Sequence, residues 1–445
     1  MHNHSISRAR RFHVSILIKD GHIIDPANNI DTYSDVLIDN GIIVNIAVGI
    51  PEDNAYQIID ARGCLVVPGL IDLHTHLREP GYKNKETIES GSRAAVAGGY
   101  TTICAMPNTY PTVDNAVIVE IIRAKAKHAG LVNILPIGTI TKEQAGERLA
   151  DISEMIQGGI CAVSEDGKSV RDTALLKTAM QHTIQFSLPV FSHCEDTDID
   201  EQGQIISQKV VEPLNVSGIA KDSEHMCVAR DISLAKETGA RLHICHVSTA
   251  NSVSILRWAK AQKISVTAEV TPHHFTLIED DIPEANPNYK MNPPLRKACD
   301  RDAIRVALAE DTIDCIATDH APHSPNEKSV SYDKAPNGVI GMETAFAIAY
   351  TELVLHNIIS LSKLIEKMSR NPAIVLGINK GTLSLGASAD LAVIEVKTPY
   401  RIKSQFASKS CNCPFIGREV YGRVRHTILN GCIVYDNGVF AFNEE

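Results

Sequence analysis

Residues 70–76 read LIDLHTH, a short apolar run that ends in two histidines, and the recurrence of such runs decides the fold. Seven more follow: TTICAMP (101–107), VNILPIG (132–138), ICAVSED (160–166), PVFSHCE (189–195), RLHICHVS (241–248), ISVTAEVT (264–271) and IDCIATDH (313–320). Segments of helical pattern that end in glycine separate them, such as KETIESGSRAAVAGG and NAVIVEIIRAKAKHAG. Apolar strands that alternate with helices indicate a parallel sheet, and eight such units predict an α/β fold, a (β/α)8 barrel of the TIM type.

The two ends of the chain differ from this middle part, because their apolar runs are separated by turn pairs. Asp20-Gly21 and Asn40-Gly41 predict hairpins near the N-terminus, and Asn430-Gly431 predicts one near the C-terminus. We therefore predict a small β-sandwich domain formed by both chain termini, with two separate β appendages as the alternative. The predicted division gives residues 1–68 and 376–445 to the small domain and 69–375 to the barrel.

The composition excludes several classes of protein. The chain has 445 residues, a net charge of −10 and only 5% aromatic residues, which argues against a nucleic-acid-binding protein. No apolar run is long enough to span a membrane, and the start of the chain lacks the apolar core of a secretory signal. The 11 cysteines have no framework spacing, as is typical of a reducing compartment, so we expect a cytoplasmic protein. The His2-Asn3-His4 pair is interpreted as part of a terminal arm.

Polar side chains collect where the predicted strands end, which in a barrel is the catalytic face. His74 and His76 end the first strand, and the two-residue period of a strand directs both imidazoles to one side. Later strands end in Glu165 and Asp166 (strand 4), His193 (strand 5), His246 (strand 6) and Asp319 (strand 8). Four imidazoles and two carboxylates suit two zinc-like divalent ions that share a bridging carboxylate.

Neighbouring residues are expected to have other orientations. Alternation along a strand predicts that Cys194 and Cys245 face away from the adjacent histidines, and that His320 points away from Asp319. The long irregular stretch 319–341 is rich in Pro, Ser and Asn and is a candidate active-site loop.

The motifs DLHTHLREPG, MPNTYPTVD, SHCED, HVSTA, EVTPHH, KMNPPLR, ATDHAPH and GVIGMET occur in this order. Together they resemble the zinc dihydroorotases of the amidohydrolase superfamily, in the long bacterial form. The resemblance spans nearly the whole chain. It implies a zinc-dependent cyclic amidohydrolase that reversibly cyclises N-carbamoyl-L-aspartate to L-dihydroorotate in pyrimidine biosynthesis.

The same resemblance implies a role for individual residues. One zinc ion would be held by His74, His76 and Asp319, and the second by His193 and His246, with Asp166 as the bridge. The substrate would contact Arg78, Asn108, Asn292, His323, Asn337 and Gly338. One ion per subunit remains an alternative to two.

The sequence departs from the family pattern at two places. The strand-4 motif is Val163-Ser164-Glu165-Asp166-Gly167 where the family usually has Phe-Ser-Asp-Asp-Gly, so Glu165 remains an alternative bridge to Asp166. A carboxylated lysine bridges the metals in many relatives, and Lys168 is the neighbouring candidate for that role. Asn337 stands where the family usually has an aromatic residue.

The mechanism implied by the resemblance uses the metals to lower the pKa of water, so that hydroxide attacks the ring amide carbonyl. Asp319 would be the catalytic residue that takes the hydroxide proton and passes it to the leaving ring nitrogen. The expected partners are the small-molecule substrate, a second copy of the chain in a homodimer, and an aspartate carbamoyltransferase. Two alternatives remain: an amidohydrolase acting on hydantoin, dihydropyrimidine or allantoin, and a non-catalytic barrel that serves as an assembly partner.

Overall fold

The structure is a computed structural model, and it describes residues 15–53, 56–196, 203–204, 217–218 and 221–441. The His2-Asn3-His4 pair lies outside the described residues. Eight parallel strands form one sheet in strict chain order. We number them barrel strands 1 to 8: Leu70–Thr75, Tyr100–Ala105, Asn133–Thr139, Ala162–Ser164, Val190–Ser192, Leu242–Ile244, Val266–Val270 and Cys315–Ile316.

The barrel closes between its first and last strands. Thr75 forms a parallel bridge with His320, and the His76 N–H donates to the His320 carbonyl at 2.8 Å. The predicted TIM-type barrel is confirmed, although strands 4, 5 and 6 have only three residues each and strand 8 only two. The strand ends therefore meet at one mouth, as parallel strands in a closed sheet require.

Helices connect the strands and cover the outside of the barrel. The two predicted from glycine-terminated segments run over Ile88–Ala97 and Ala116–Ala129, each followed by glycine. The other helices are Ile152–Gly158, Thr173–Ile184, Lys221–Thr238, Ala250–Ala261, Pro272–Thr276, Ala298–Ala309, Pro325–Lys328, Ala345–Ala349, Leu361–Ile365 and Asn371–Leu376. Their buried aliphatic side chains pack on the strands and form the largest core cluster.

Both termini build a second sheet of nine strands. These are Ser15–Asp25, Ile30–Asp39, Ile42–Ala47, Tyr56–Asp60, Cys64–Pro68, Leu391–Glu395, Arg423–Leu429, Cys432–Asp436 and Val439–Phe440. The two halves join where Leu391–Glu395 runs antiparallel to Cys64–Pro68. Residues from both termini share one buried aliphatic cluster, so this sheet has its own core.

The turn predictions in this sheet have different outcomes. Asn40-Gly41 and Asn430-Gly431 are hairpin turns, as predicted. The prediction of a hairpin at Asp20-Gly21 is wrong, because Ser15–Asp25 continues through this pair as one strand with an irregularity in its register. The Asp20 N–H donates to the Asp35 carboxylate at 2.8 Å, so the residue left out of the ladder keeps a partner.

No helix of the described residues is long and apolar enough to cross a membrane.

Candidate active site

His74 and His76 project from barrel strand 1 into the mouth, and each is held by its Nδ1 atom. His74 Nδ1 donates to Glu269 Oε1 at 2.8 Å, and His76 Nδ1 donates to Asn108 Oδ1 at 2.9 Å. A proton on Nδ1 leaves the Nε2 lone pair of each ring free to bind a cation. Both Nε2 atoms face carboxylates: His74 Nε2 is 3.1 Å from Asp166 Oδ1, and His76 Nε2 is 3.1 Å from Asp319 Oδ1.

His193 and His246 belong to the same group of side chains. His193 Nδ1 is 3.0 Å from His246 Nε2 and 3.8 Å from Asp166 Oδ1. The other ring nitrogen of His193, Nε2, donates to Glu195 Oε2 at 2.9 Å. Glu195 thereby fixes the tautomer that turns the His193 Nδ1 lone pair toward the centre of the group.

Asp166 and Glu165 face different surroundings although they are adjacent in sequence. Asp166 lies among the imidazoles of His74, His76 and His193. Glu165 instead accepts the backbone N–H groups of Ile140 and Thr141 at 3.1 and 3.0 Å, together with the Thr141 hydroxyl. Of the two carboxylates, only that of Asp166 is in position to contact the histidine group.

Lys168 lies outside this group. It is exposed, and its amino group donates to the Gln144 carbonyl at 2.9 Å.

The backbone aims three of the side chains at the mouth. Arg78, His246 and Asp319 have φ values of 58°, 34° and 46°, in the left-handed region that L residues with large side chains rarely adopt. This conformation at His246 breaks the alternation of barrel strand 6. The expectation that Cys245 faces away is therefore wrong: its thiol lies within 4.8 Å of His74 and Glu269, beneath the histidines.

Cys194 faces outward, as expected. It lies in a buried group with Cys227 and Asp231.

The electrostatics of the group follow from its burial. Burial opposes ionisation of Asp166, but the imidazoles of His74 and His76 outweigh it and hold the pKa of this carboxyl well below its usual range. Burial also lowers the pKa of His246, and the neighbouring His193 adds to that shift. Burial opposes the charged form of His74 as well, yet Asp166 and Asp319 raise its pKa well above the ordinary value.

The donor set fits divalent metal ions. The His74 Nε2 atom is buried, and its 3.1 Å contact with Asp166 Oδ1 does not have the geometry of a hydrogen bond, as expected for two atoms that would bind the same ion. Two ligand atoms about 2.0–2.1 Å from a tetrahedral ion lie about 3.3 Å apart. The nitrogen–oxygen and nitrogen–nitrogen separations given above for Asp166, Asp319 and the histidines cluster near this value. Buried groups that could hold an ion include His74, His76, Asp319 and His74, Asp166, His246.

All candidate ligands except His74 line one cavity of about 220 Å³, together with all six predicted substrate contacts. Arg78 donates from Nε to the Pro322 carbonyl at 3.2 Å, and its Nη2 lies 3.4 Å from His323 Nε2. His323 Nε2 donates to the Asn337 carbonyl at 2.7 Å. Burial and the charges of Arg78 and Lys85 lower the pKa of His323 to about 2, so this ring is neutral at physiological pH.

The amide residues of the cavity differ in what they contact. Asn108 bonds His76 through Oδ1 and donates from Nδ2 to Asp166 Oδ2 at 2.9 Å, so it joins two candidate metal ligands. Asn292 donates to Glu195 Oε2 at 2.8 Å. The buried Asn337 Oδ1 has no hydrogen-bond partner in the described ranges, which leaves it available to a ligand. Gly338 follows with φ +129° and packs against Ala321.

The sequence reasoning missed two carboxylates behind the histidines. Glu269 lies inside barrel strand 7 and contacts both His74 and His243, at 2.8 and 3.1 Å. Burial opposes its ionisation, but the hydrogen bonds from His243 and His74 lower its pKa to about 2. Glu195, the other carboxylate, follows His193 by two residues. Its spacing in SHCED, and the position of Glu269 within the apolar run ISVTAEVT, were the signals available in the sequence.

His320 points away from the cavity, as expected. Its Nε2 lies 3.3 Å from Glu86 Oε2, while its Nδ1 accepts the Gly341 N–H at 3.2 Å. The loop 319–341 that begins beside it contributes Asp319, His323 and Asn337 to the cavity lining.

Known proteins resemble this chain in sequence and in fold. The family described as Dihydro-orotase-like matches residues 63–252. A dihydroorotase of Pelobacter propionicus is 43% identical over 423 residues, covering 95% of this chain and 100% of the relative. A dihydroorotase of Endomicrobium trichonymphae is 46% identical over 420 residues, covering 94% and 99% of the two chains. Among solved structures, the L-hydantoinase (dihydropyrimidinase) of Arthrobacter aurescens has a TM-score of 0.86 at 26% identity, covering 96% of this chain and 97% of that one.

Proposed function

This chain belongs to the dihydroorotase family, and from that premise we propose how its residues perform the reaction of a dihydroorotase. The enzyme is a cyclic amidohydrolase. The observation that carries the assignment of roles is one cavity in which a cationic side chain, Arg78, lies beside three of the histidines and both aspartates. The fourth histidine, His74, contacts the two aspartates of that lining. A substrate with a carboxylate beside a cyclic amide needs both features: a guanidinium for the carboxylate and metal ligands for the amide.

We assign the six ligands to two zinc ions. His74, His76 and Asp319 would hold one, His193 and His246 the other, and Asp166 would bridge them, since its carboxylate faces histidines of both sets. When bound, such ions supply Lewis acidity toward a carbonyl and lower the pKa of water to near neutrality. The donor set of imidazole and carboxylate is the one that zinc accepts in hydrolytic enzymes.

Asp319 is proposed as the proton carrier. Its Oδ1 atom lies against His74 and His76, at 3.5 and 3.1 Å, so its Oδ2 atom is directed away from these imidazoles. In ring opening, Oδ2 would take the proton of the attacking hydroxide and return it to the leaving ring nitrogen. Ring closure reverses these steps and consumes one proton, because a carboxylate becomes a neutral amide.

The remaining cavity residues are proposed to bind and orient the substrate. Arg78 would pair with the ring carboxylate in the bidentate geometry that a guanidinium allows. The neutral His323 and the free Oδ1 of Asn337 would meet polar atoms of the ring. Asn292 and the Gly338 backbone would close the cavity around it. Asn108, which the sequence placed among the substrate contacts, would act mainly by orienting His76 and Asp166.

We also propose the domain boundaries 1–68, 69–375 and 376–445, a cytoplasmic location, and a homodimer that can associate with an aspartate carbamoyltransferase. The boundaries are supported by the change of sheet between Cys64–Pro68 and Leu70–Thr75, and by the end of the helix Asn371–Leu376. All 11 cysteines are free thiols, which favours a reducing compartment.

The assignment is tested by a spectrophotometric assay of dihydroorotate hydrolysis before and after removal of metal. We expect activity that is lost with a chelator and restored by Zn²⁺. Replacing Arg78 with Met should raise the KM for dihydroorotate by about 100-fold, because a charge-assisted bidentate contact is lost, and should leave zinc content unchanged.

Two results would contradict the proposal. Full activity without metal would contradict the assignment of the six residues as metal ligands. An unchanged KM in the Arg78→Met variant, together with faster turnover of hydantoin or dihydropyrimidine than of dihydroorotate, would favour the activity named for the Arthrobacter neighbour.

A further inference from the structure

The buried amino group of Lys328 joins two segments that flank the cavity. Lys328 lies in the loop 319–341, and its side chain is only slightly exposed. Its Nζ donates to the Pro336 carbonyl of the same loop at 2.8 Å. It also donates to the carbonyls of Pro287 and Lys290 in the segment after barrel strand 7, at 2.9 and 3.3 Å. One ammonium group therefore donates to three backbone carbonyls, one in its own loop and two in the segment after barrel strand 7.

Lys290 completes the connection in the opposite direction. Its buried Nζ donates to the Asp333 carbonyl in the loop 319–341 at 2.9 Å and lies 5.7 Å from the ring centre of Tyr332. Its own carbonyl accepts the Gly338 N–H at 2.9 Å. Each lysine thus holds the backbone of the segment that carries the other one.

We propose that Lys328 and Lys290 form a clasp that positions Asn292 and the Asn337–Gly338 backbone around the substrate. Lys328 bonds to the residue directly before Asn337, and Lys290 precedes Asn292 by two residues. The two lysines are positioning residues for the dihydroorotase reaction. This inference rests on the proposed function and deepens it, because it names what sets the shape of the substrate cavity.

The protonated form of Lys328 is the one that can make this clasp. Three carbonyl acceptors require three N–H groups, which an ammonium has and a neutral amine lacks. Burial, with the charges of Lys290 and Arg78, lowers the pKa of Lys328 to about 7, and Glu327 opposes that shift. His323 also faces this charge, but its own pKa of about 2 keeps it neutral throughout the relevant range.

The test compares two lysine variants of the same loop. Lys328→Met keeps an unbranched side chain, one atom shorter than that of lysine, and removes all three hydrogen bonds. Lys334→Met is the matched control, because Lys334 is exposed. We expect Lys328→Met to raise the KM for dihydroorotate about tenfold or more, with kcat within threefold of the parent and unchanged zinc content. Lys334→Met should leave both constants within twofold.

The pH profile separates positioning from a general loss of structure. As pH rises above the lowered pKa of Lys328, the clasp loses one donor and its charge, so the KM of the parent should rise. In Lys328→Met the KM should be high and flat over the same range. A parent-like rise in the variant would overturn the role of Lys328.

Hydrogen exchange gives a second measurement that does not depend on activity. Exchange in residues 329–338 should quicken in Lys328→Met and stay at the parent rate in Lys334→Met, while the helix Ala298–Ala309 is protected in all three. If Lys328→Met does not fold, Lys290→Met must show the same kind of change to a smaller extent: a raised KM for dihydroorotate with kcat nearly unchanged. If the folded Lys328→Met variant has the KM and the exchange rates of the parent, the clasp is overturned. If the parent does not hydrolyse dihydroorotate but the exchange pattern is as expected, only the proposed function is overturned.

Discussion

In the terminal sheet, the left-handed residues Asn40 and Asn430 lie where strands turn, whereas at the barrel mouth left-handed residues carry functional side chains. Asn40 and Asn430 have φ values of 49° and 50° at hairpin turns, where short polar residues accept this conformation at little cost. At the mouth the same conformation is held by residues with larger or functional side chains: Arg78, His246 and Asp319. Strain of this kind persists only where the surrounding structure enforces it, and at these three residues it holds side chains that line the cavity.

The two regions also differ in what they bury. The terminal sheet buries an aliphatic cluster that includes Ile18, Val36 and Ile43. The mouth buries six ionisable groups, whose desolvation is compensated by contacts among them and with Glu269 and Glu195. We therefore expect substitutions in the sheet to change stability, and substitutions at the mouth to change activity or metal binding.

The largest effect is expected for Asp319→Asn, which removes the proposed proton carrier and keeps the shape of the side chain. Loss of a positioned general base lowers kcat by about 10²–10⁴-fold. Steady-state kinetics with dihydroorotate measure this change, and circular dichroism should show an unchanged thermal midpoint. A kcat within threefold of the parent would contradict the assignment of Asp319.

The matching change in the terminal sheet is Ile18→Ala. Ile18 is fully buried in the cluster of that sheet, so its truncation leaves a cavity and should lower the free energy of unfolding by about 2–5 kcal/mol. Denaturant unfolding measures this loss. The comparison between the regions would fail if kcat/KM fell more than threefold at a temperature where the variant is fully folded.

The smallest effect is expected for Glu269→Gln, which tests the contact behind His74. The amide can still accept one hydrogen bond but no longer fixes the tautomer of His74 by its charge. Second-layer carboxylates of this kind usually change metal affinity by about 10–100-fold. Competition with a fluorescent zinc chelator measures the affinity. Glu310→Gln, at an exposed ion pair with Arg257, is the control and should leave it unchanged.

Much of the fold was predictable because it depends on local pattern. The apolar runs located all eight barrel strands, and two of three Gly-containing pairs located hairpins. The third, Asp20-Gly21, is part of a continuous strand because Asp35 supplies a partner to the Asp20 N–H across the sheet. Such a partner is distant in sequence, so the local turn signal could not reveal it.

The candidate site was predictable only in its residue types. Their positions at strand ends predicted that five residues lie close together, and the structure places them in one group: His74, His76, His193, His246 and Asp319. The predicted orientation of Cys245 was wrong because side-chain alternation holds only for an extended backbone, and His246 has a left-handed conformation.

By itself, the sequence determined which residue types stand at the strand ends and how many strands there are, since hydrophobic period and turn chemistry are local properties. Only the tertiary structure distinguishes the surroundings of Asp166 and Glu165, because the partners of each carboxylate come from elsewhere in the chain: imidazoles for Asp166 and the Thr141 backbone for Glu165. The same holds for the lysine clasp. Its hydrogen bonds join the Lys328 ammonium group to carbonyls about 40 residues away in the chain, and no periodicity in the sequence indicates them.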